Sequence, residues 1–236
     1  MKKIILYIGL VLLNYSCKKD DQQIVRSHEL ERFNHIMLFD SFNTVLHESD
    51  EFRIEIKAAA SRQEFIKFSV TDSTLEVRNE KVAGWSNPGI NEIELHIYSE
   101  PLSLVEVEES GLVSTANPIT SVEFGIILKS KVNEANLELD CGTFYFWNNK
   151  PAGGKLTLTG QCGVVKLWNF ALMSVDARHL TSEVALIENR SKGTVEISPT
   201  QLLEYSILDV GDIFLYSNPT QIIEIENSGD GNLVLF

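Results

Sequence analysis

The sequence has few basic side chains: 20 Lys and Arg stand against 33 Asp and Glu, and the formal net charge is −13. An excess of that sign argues against binding to nucleic acid or to anionic lipid through a basic surface. Cysteine is also rare, with three in 236 residues, and the five histidines show no metal-ligand spacing. No phosphate-binding loop, dinucleotide-binding fingerprint or calcium-binding repeat is present.

Helical patterning is missing as well. No window combines apolar residues at helical spacing with capping residues. Strand-like alternation is frequent instead, as where Phe52, Ile54 and Ile56 alternate with charged residues. Hydrophobic residues make up 44% of the chain and charged residues 22%, which permits a full core and argues against wholesale disorder. We therefore predict an all-β protein.

The N-terminus has the pattern of an export signal. Two lysines precede the apolar run 4–13, which is too short to span a bilayer but typical of the central part of a signal peptide. The Ser16-Cys17 pair resembles the cleavage site of bacterial lipoproteins, although Asn14 stands where Leu is usual. This resemblance implies removal of residues 1–16 and lipidation of Cys17. The alternative is ordinary signal-peptidase cleavage nearby, with Cys17 incidental.

The residues after Cys17 extend this prediction. Positions 18–22, Lys-Lys-Asp-Asp-Gln, resemble the short charged signal that sends Bacteroidetes-type lipoproteins to the outer cell surface, and the alternative is a merely polar linker. The resemblance implies an outer membrane lipoprotein that is exposed at the cell surface and touches the membrane through its anchor. The predicted segments are a polar tether (17–34), an N-terminal β block (35–110) and a series of repeated rows (111–236). Residues 35–236 are predicted to form one domain, and a separate domain at 35–110 is the alternative.

Three stretches in the second half of the chain nearly repeat one another. They are LELDCGTFYFWN (137–148), LTLTGQCGVVKLWN (156–169) and VDARHLTSEVALIEN (175–189). Cys141, Cys162 and Ser182 occupy equivalent corners, and a period near 20 with a strand on each side of a corner is typical of a solenoid. We predict a right-handed parallel β-helix or related β-solenoid with about 20 residues per turn in the C-terminal half.

Stacked turns place equivalent residues in columns about 4.8 Å apart. The apolar columns predicted for the core are Phe144, Val165, Ala185 and Ile213, and Phe146, Leu167, Ile187 and Leu215. On the outer side, Trp147, Trp168 and Tyr216 are predicted to share a column, with Tyr145 beside it. Together with Phe214, which is predicted to lie beside Tyr145, these four residues form a predicted aromatic strip, and the four are the candidate ligand-binding site. Aromatic rings with polar neighbours suit sugars and other flat ligands; the alternatives are a protein partner, or coverage by other parts of the chain as a second core.

Two further sets of residues repeat with the rows. Asn148, Asn169 and Asn189 are predicted to form an asparagine ladder, in which each side-chain amide bonds the next turn. Cys141 and Cys162 are predicted to stack in adjacent turns, close enough for a disulfide. An export compartment permits that bond, and stacked free thiols are the equally favoured alternative. Two cysteines alone do not make a metal site.

The rows and the N-terminal block together resemble a known family. The rows follow a Leu-x-Leu-x-x-(Ser/Cys)-Gly pattern, and the N-terminal block carries Phe42, Val45, Ser49, Asp50, Phe52, Ile54 and Ile56. Over roughly residues 33–236 the chain resembles the putative auto-transporter adhesin, head GIN domain family, a domain of unknown function common in Bacteroidetes lipoproteins. The resemblance implies a β-helix-like fold at the cell envelope and supplies no catalytic residues. The corner Ser of the family is Cys in two rows here.

The predicted function is therefore adhesion, or the binding of a glycan or protein, without enzymatic activity, metal or cofactor. A structural envelope component with a protein partner is the first alternative. A polysaccharide-degrading β-helix enzyme is the second, but it requires carboxylates that converge in a cleft. The acidic residues here mostly alternate outward on strands, as they do on solvated faces.

Overall fold

The computed structural model describes residues 22–80, 92–130, 132–148 and 152–236. The fold is all-β, with 69% of residues in strands, and forms a β-solenoid of about six turns with roughly 21 residues per turn. The predicted fold class is confirmed. A 3-10 turn at Gln63–Phe65 is the one helical element among the described residues. The described part of the chain therefore contains no helix that is long and apolar enough to cross a membrane. The predicted signal peptide and Cys17 lie outside the described residues.

The strands are β1 (Gln23–Glu29), β2 (His35–Leu38), β3 (Asn43–Glu48), β4 (Arg53–Ala59), β5 (Ile66–Thr71), β6 (Thr74–Asn79), β7 (Glu94–Ser99), β8 (Leu104–Val107), β9 (Gly111–Thr115), β10 (Glu123–Leu128), β11 (Asn133–Trp147), β12 (Gly153–Ser191), β13 (Val195–Ile207), β14 (Ile213–Leu215), β15 (Gln221–Asn227) and β16 (Leu233–Leu235). Strand β12 is long because it continues around corners of the solenoid. Successive residues of a strand point to opposite faces, so the alternating sequence buries one face of each strand.

The repeated rows stack in parallel register as their sequences predict. Strand β11 lies beside β12, with Phe144 opposite Val165 and Trp147 opposite Trp168. The predicted core positions of the three rows are all buried: Phe144, Phe146, Val165, Leu167, Ala185 and Ile187. Burial of the Phe, Val, Leu and Ile side chains contributes about 1.5–3 kcal/mol each, so these two apolar columns stabilise the rows.

The register predicted beyond Asn189 is wrong. Ala185 lies opposite Leu203 of β13, whereas Ile213 lies opposite Val195 on another side of the solenoid. The stretch Val195–Ile207 does not resemble the three repeated rows. It nonetheless forms β13, whose Pro199 lies opposite Ser182 at the corner. Ile213 and Leu215 are therefore core residues, but of a different column.

The N-terminal strands belong to the same stack, in an order that differs from their order in the chain. Strand β2 lies between β6 and β8, and β3 lies between β7 and β9, all in parallel register. His35 is thus opposite both Thr74 and Leu104. Strand β9 then pairs with β11, so the N-terminal strands and the rows form one continuous solenoid.

Antiparallel strands close this end of the solenoid. Strand β1 pairs antiparallel with β4, and β5 pairs antiparallel with β6. Residues 23–29, predicted as part of a polar tether, therefore form an edge strand. The reason for the difference is that β1 is mostly exposed: only Ile24 and His28 are half-buried, so its sequence lacks a strand's apolar alternation.

Glycine at two corners allows close stacking of the turns. A Cβ atom on Gly142 would lie 2.6 Å from the carbonyl oxygen of Val122, and one on Gly163 would lie 2.7 Å from the carbonyl oxygen of Gly142. Any larger residue would push successive turns apart at this corner. This close approach explains the Cys-Gly pairs of the sequence without any unusual backbone conformation.

Candidate functional site

Two tryptophan side chains lie side by side on the outer face of adjacent turns. Trp147 of β11 and Trp168 of β12 are opposite each other in register, and Ile127 of β10 precedes them in the same column. Within the described residues, Trp147 remains 44% exposed and Trp168 43% exposed. Large aromatic side chains usually become mostly buried on folding, so two of them in contact with solvent at one place form a candidate binding surface.

Tyr145 completes this surface. It lies in the neighbouring outer column, between Gly125 and Lys166. Its ring occupies the space above Gly125, since a Cβ atom there would come within 2.0 Å of Tyr145 Cζ. The missing side chain at Gly125 thus leaves room for the tyrosine ring against the sheet. We call Tyr145, Trp147 and Trp168 the aromatic face.

The aromatic face lines a shallow groove of about 420 Å³, whose polar edges are Glu123 and Lys166. Burial, together with the negative charges of Glu123 and Glu106, raises the pKa of Tyr145. Its hydroxyl group therefore stays protonated at neutral pH and can donate a hydrogen bond. A groove with apolar rings, a hydroxyl donor, an ammonium group and a carboxylate offers stacking and hydrogen bonding at once. That combination is suited to a small polar ligand with an apolar face.

Tyr216, the fourth residue of the predicted aromatic strip, is not part of this face. It follows β14, which pairs with the first half of β13. The column that contains Trp147 and Trp168 leads instead to the second half of β13. Tyr216 stacks on Phe236 with ring centroids 4.7 Å apart, and the guanidinium of Arg178 lies 5.6 Å from its ring. The placement in one column with Trp147 is therefore wrong.

Two exposed apolar residues near the aromatic face were not among the predicted site residues. Phe170 lies two positions after Trp168 in the same strand and is exposed, as is Leu172. Residues two apart in a strand point to the same face, so Phe170 extends the apolar surface beyond Trp168. The alternation of Trp168, Asn169 and Phe170 was the signal that could have found it.

The asparagine ladder is present and buried. Asn169 donates a 3.1 Å hydrogen bond to Oδ1 of Asn189, and Asn189 donates a 2.9 Å bond to the carbonyl of Gly211. Asn148 exchanges two bonds with the backbone of Phe170, at 2.7 and 2.8 Å. Each side chain therefore bonds the next turn. The ladder fixes the edge of the row that carries the tryptophans, and we assign it a structural role.

Cys141 and Cys162 are opposite each other in register, as predicted. Both are free thiols in the structure, and their Sγ atoms lie 3.3 Å apart. At this distance the two sulfurs are close enough to bond without movement of the strands, so the disulfide stays a prediction for the protein in the cell.

A pair of histidines is brought together by the fold, although their spacing in the sequence gave no sign of it. His47 Nε2 of β3 lies 2.9 Å from His96 Nδ1 of β7, and His96 Nε2 lies 2.8 Å from a carboxylate oxygen of Glu94. Burial and the neighbouring His96 lower the pKa of His47. Within the described ranges, no three or more His, Cys, Asp or Glu side chains are grouped so that they could hold a metal ion.

Several carboxylates of the outer strands are neutralised by cations. Asp176 is bonded by both Arg178 and Lys155, with distances of 2.9 and 3.0 Å, and these partners hold its pKa well below the usual range. Glu94 accepts a 2.7 Å bond from Lys57. Such carboxylates stabilise the outer surface of the solenoid and are occupied by their partners.

Taken together, these features define a β-solenoid protein that leaves an aromatic face open to solvent. The sequence matches the model of the family described as "putative auto-transporter adhesin, head GIN domain" over residues 32–219. That match covers more than half of the chain, which therefore belongs to this family. The family name is that of an adhesin-like, cell-surface class of protein.

Solved structures of similar fold come from Bacteroides and Parabacteroides. A putative adhesin from Bacteroides fragilis has 18% sequence identity and a TM-score of 0.82, and the alignment covers 91% of this chain and 97% of that one. A putative adhesin from Parabacteroides merdae has 15% identity and a TM-score of 0.63, covering 92% and 97% of the two chains. A putative lipid binding protein from Parabacteroides distasonis has 14% identity and a TM-score of 0.64, covering 92% and 98%. At these identities the likeness shows a shared fold.

Among curated proteins, none is similar in sequence to this chain.

Proposed function

We propose that this protein is an adhesin that binds glycans through its aromatic face, and that it is held at the cell surface by a lipidated Cys17. The observation that carries the proposal is the exposure of Trp147 and Trp168, in register on adjacent turns. The strands that carry the two indoles are about 4.8 Å apart, a spacing comparable to the length of one sugar ring. Sugar rings have apolar faces that stack on such aromatics.

The charge around the face favours neutral glycans. The protein as a whole carries a formal net charge of −13, and Glu106 and Glu123 lie beside Tyr145. A sialylated or sulfated glycan would meet this negative potential, which lowers the association rate and affinity of anionic ligands. Among the described residues that line the groove, Lys166 is the one cation and Glu123 the one carboxylate.

A glycan array that contains neutral and acidic glycans tests the proposal. Trp147→Ala and Trp168→Ala should each weaken binding at least tenfold, because loss of a stacked indole costs about 1.4 kcal/mol or more. Tyr216→Ala is the matched control, since Tyr216 is an exposed aromatic residue outside the face. Unchanged binding in the Trp147→Ala/Trp168→Ala double variant would refute glycan recognition by this face. Release of new reducing ends during incubation would show instead that the protein is a polysaccharide-degrading enzyme.

The anchor is tested separately. Cells that express the wild-type protein should incorporate labelled fatty acid into it, and the Cys17→Ala variant should not. Protease added to intact cells should degrade the protein, since the proposed location is the outer surface of the outer membrane. Incorporation of labelled fatty acid into the Cys17→Ala variant, or full protection of the protein from protease, would contradict this part of the proposal.

A structural envelope component with a protein partner is the second candidate function. The exposure of two further apolar side chains, Phe170 and Leu172, within four residues of Trp168 favours it, because exposed apolar patches are typical of protein interfaces. Cross-linking on intact cells should then capture an envelope protein with the wild type. Phe170→Asp/Leu172→Asp should lose that partner and keep any glycan binding. Retention of the partner by this variant would exclude the patch as the interface.

A further inference from the structure

The two buried cysteines occupy a corner of the solenoid that the proposed adhesive function does not use. Cys141 and Cys162 are directly opposite each other in parallel strands, with their Sγ atoms 3.3 Å apart. They are 8% and 4% exposed. Adjacent parallel strands hold opposite Cα atoms about 4.8 Å apart, which is inside the range of about 4.4–6.8 Å that disulfides span. The strands would not need to separate for these sulfurs to bond.

A groove leads to the pair from solvent. Its volume is about 320 Å³, and its lining beyond the cysteines includes Asp140, Gln161, Thr181, Ser182, Glu183 and Thr200. Ser182 is the residue that follows the two cysteines at this corner, and it is 1% exposed. Within the described part of the chain, its Oγ has no hydrogen-bond partner. The lining of the groove is mostly polar and suits a small polar molecule.

We propose that Cys141 and Cys162 form a thiol modification site that reacts with small disulfides and closes into a disulfide between adjacent turns. The reactant class is a low-molecular-weight disulfide that enters through this groove. The proposal does not depend on the adhesive function, because the corner is on a different part of the turn from the aromatic face.

The two thiols differ in reactivity. The hydrogen bond from the Cys141 thiol lowers the pKa of Cys162, whereas that same bond and burial raise the pKa of Cys141. Cys162 is therefore the first thiolate. Its sulfur attacks one sulfur of the small disulfide, forms a mixed disulfide and releases one small thiolate. Cys141 then loses its proton and attacks the Cys162 sulfur, which releases the second small thiolate. The protein loses two protons and two electrons, and the small disulfide takes up both and is reduced to two thiols.

The test uses the full chain with Cys17→Ala, in which Cys141 and Cys162 are the only cysteines. The folded, reduced protein is incubated with 2-hydroxyethyl disulfide, then unfolded at acid pH, alkylated and digested with trypsin. The two cysteines fall in different peptides, 132–155 and 156–166, because Lys150 precedes Pro151 and is not cleaved. The Cys17→Ala protein should give these peptides joined by a disulfide and protected from alkylation, and dithiothreitol should restore both free thiols.

Single variants test the order of the steps. Cys141→Ser should stop at a mixed disulfide on Cys162, and Cys162→Ser should react at least tenfold more slowly through Cys141. Cys141→Ala serves as a second variant if the serine disturbs the buried corner, and a melting curve shows that each variant is folded during the reaction. The proposal is overturned if both wild-type thiols are alkylated after unfolding, or if each carries its own small adduct. Equal rates in the two single variants would overturn the assignment of Cys162 as nucleophile.

Discussion

The asparagine ladder gives a prediction whose size follows from its hydrogen bonds. Asn189 is fully buried and lies at the end of the third row, next to the row that carries Trp168. Its Nδ2 donates to the carbonyl of Gly211 at 2.9 Å. Its Oδ1 accepts from Asn169 Nδ2 at 3.1 Å and from the Ser191 N–H at 3.2 Å. Asn189→Ala removes these three bonds, together with a longer one of 3.5 Å from Nδ2 to the carbonyl of Gly193, and leaves the amide's space empty.

Each buried hydrogen bond contributes about 1 kcal/mol, and leaving a partner unsatisfied adds about 1–3 kcal/mol. Ser191 is completely buried, so its N–H cannot turn to water after the substitution. We therefore expect Asn189→Ala to lower the free energy of unfolding by about 4 kcal/mol, which is a large share of the roughly 5–15 kcal/mol of a typical domain. For a chain of this length the melting temperature should fall by roughly 12 °C.

Urea unfolding and thermal melting measure this loss. The matched control is Asn136→Ala, because Asn136 lies in a strand of the same stack but bonds only Glu134 at the surface, at 3.3 Å. The control should stay within about 0.5 kcal/mol of the wild type. If Asn189→Ala and Asn136→Ala unfold at the same urea concentration, the ladder does not stabilise the solenoid and the reasoning fails.

Three further predictions concern single side chains. Gly125→Val places a side chain where the Tyr145 ring lies, so glycan affinity should drop several-fold in a titration; an unchanged affinity would exclude Tyr145 from the site. Arg178 depresses the folded pKa of Asp176, so this carboxylate stabilises the fold above about pH 4 and the stabilisation is lost as pH falls. The urea midpoint of Asp176→Asn should therefore fall less between neutral and acid pH than the midpoint of the wild type. Burial lowers the folded pKa of His47, so the neutral form stabilises the fold above about pH 6.5 and this stabilisation is lost below that pH. His47→Gln should flatten the dependence of stability on pH in this range. A pH dependence identical to that of the wild type would contradict the prediction.

The stacking of the rows at 137–189 could be predicted because the strands that pair there are close to each other in the sequence. Each turn pairs with the next about 20 positions along the chain, so a repeat of Leu, Cys-Gly and Asn is visible to the eye and fixes the register. The prediction failed where the repeat changed length. Pro199 takes the corner position opposite Ser182 without any resemblance to a Cys-Gly or Ser-Gly pair. Tyr216 was therefore placed in the wrong column.

The N-terminal half was not predictable to the same degree, because its pairing partners are distant in sequence. Asn43 pairs with Glu94 on one side and with Leu112 on the other, and no short repeat reports such separations. The His47–His96 contact depends on this arrangement. The exposure of Trp147 and Trp168 depends on whether other segments cover the outer face. The alternation of apolar and polar residues in their strands is the same whether that face is covered or open to solvent, so it does not predict their exposure.

The order of strands at the N-terminal end has a consequence for how the chain folds. Turns in the rows meet neighbours about 20 residues away, so they can form early and extend one at a time. Strands β2 and β3 must instead wait for β6 and β7, and for β8 and β9, before their edges are paired. Contacts between distant segments form slowly. The part of the chain that is synthesised first is thus completed late, and its open strand edges need protection until residue 115 has arrived.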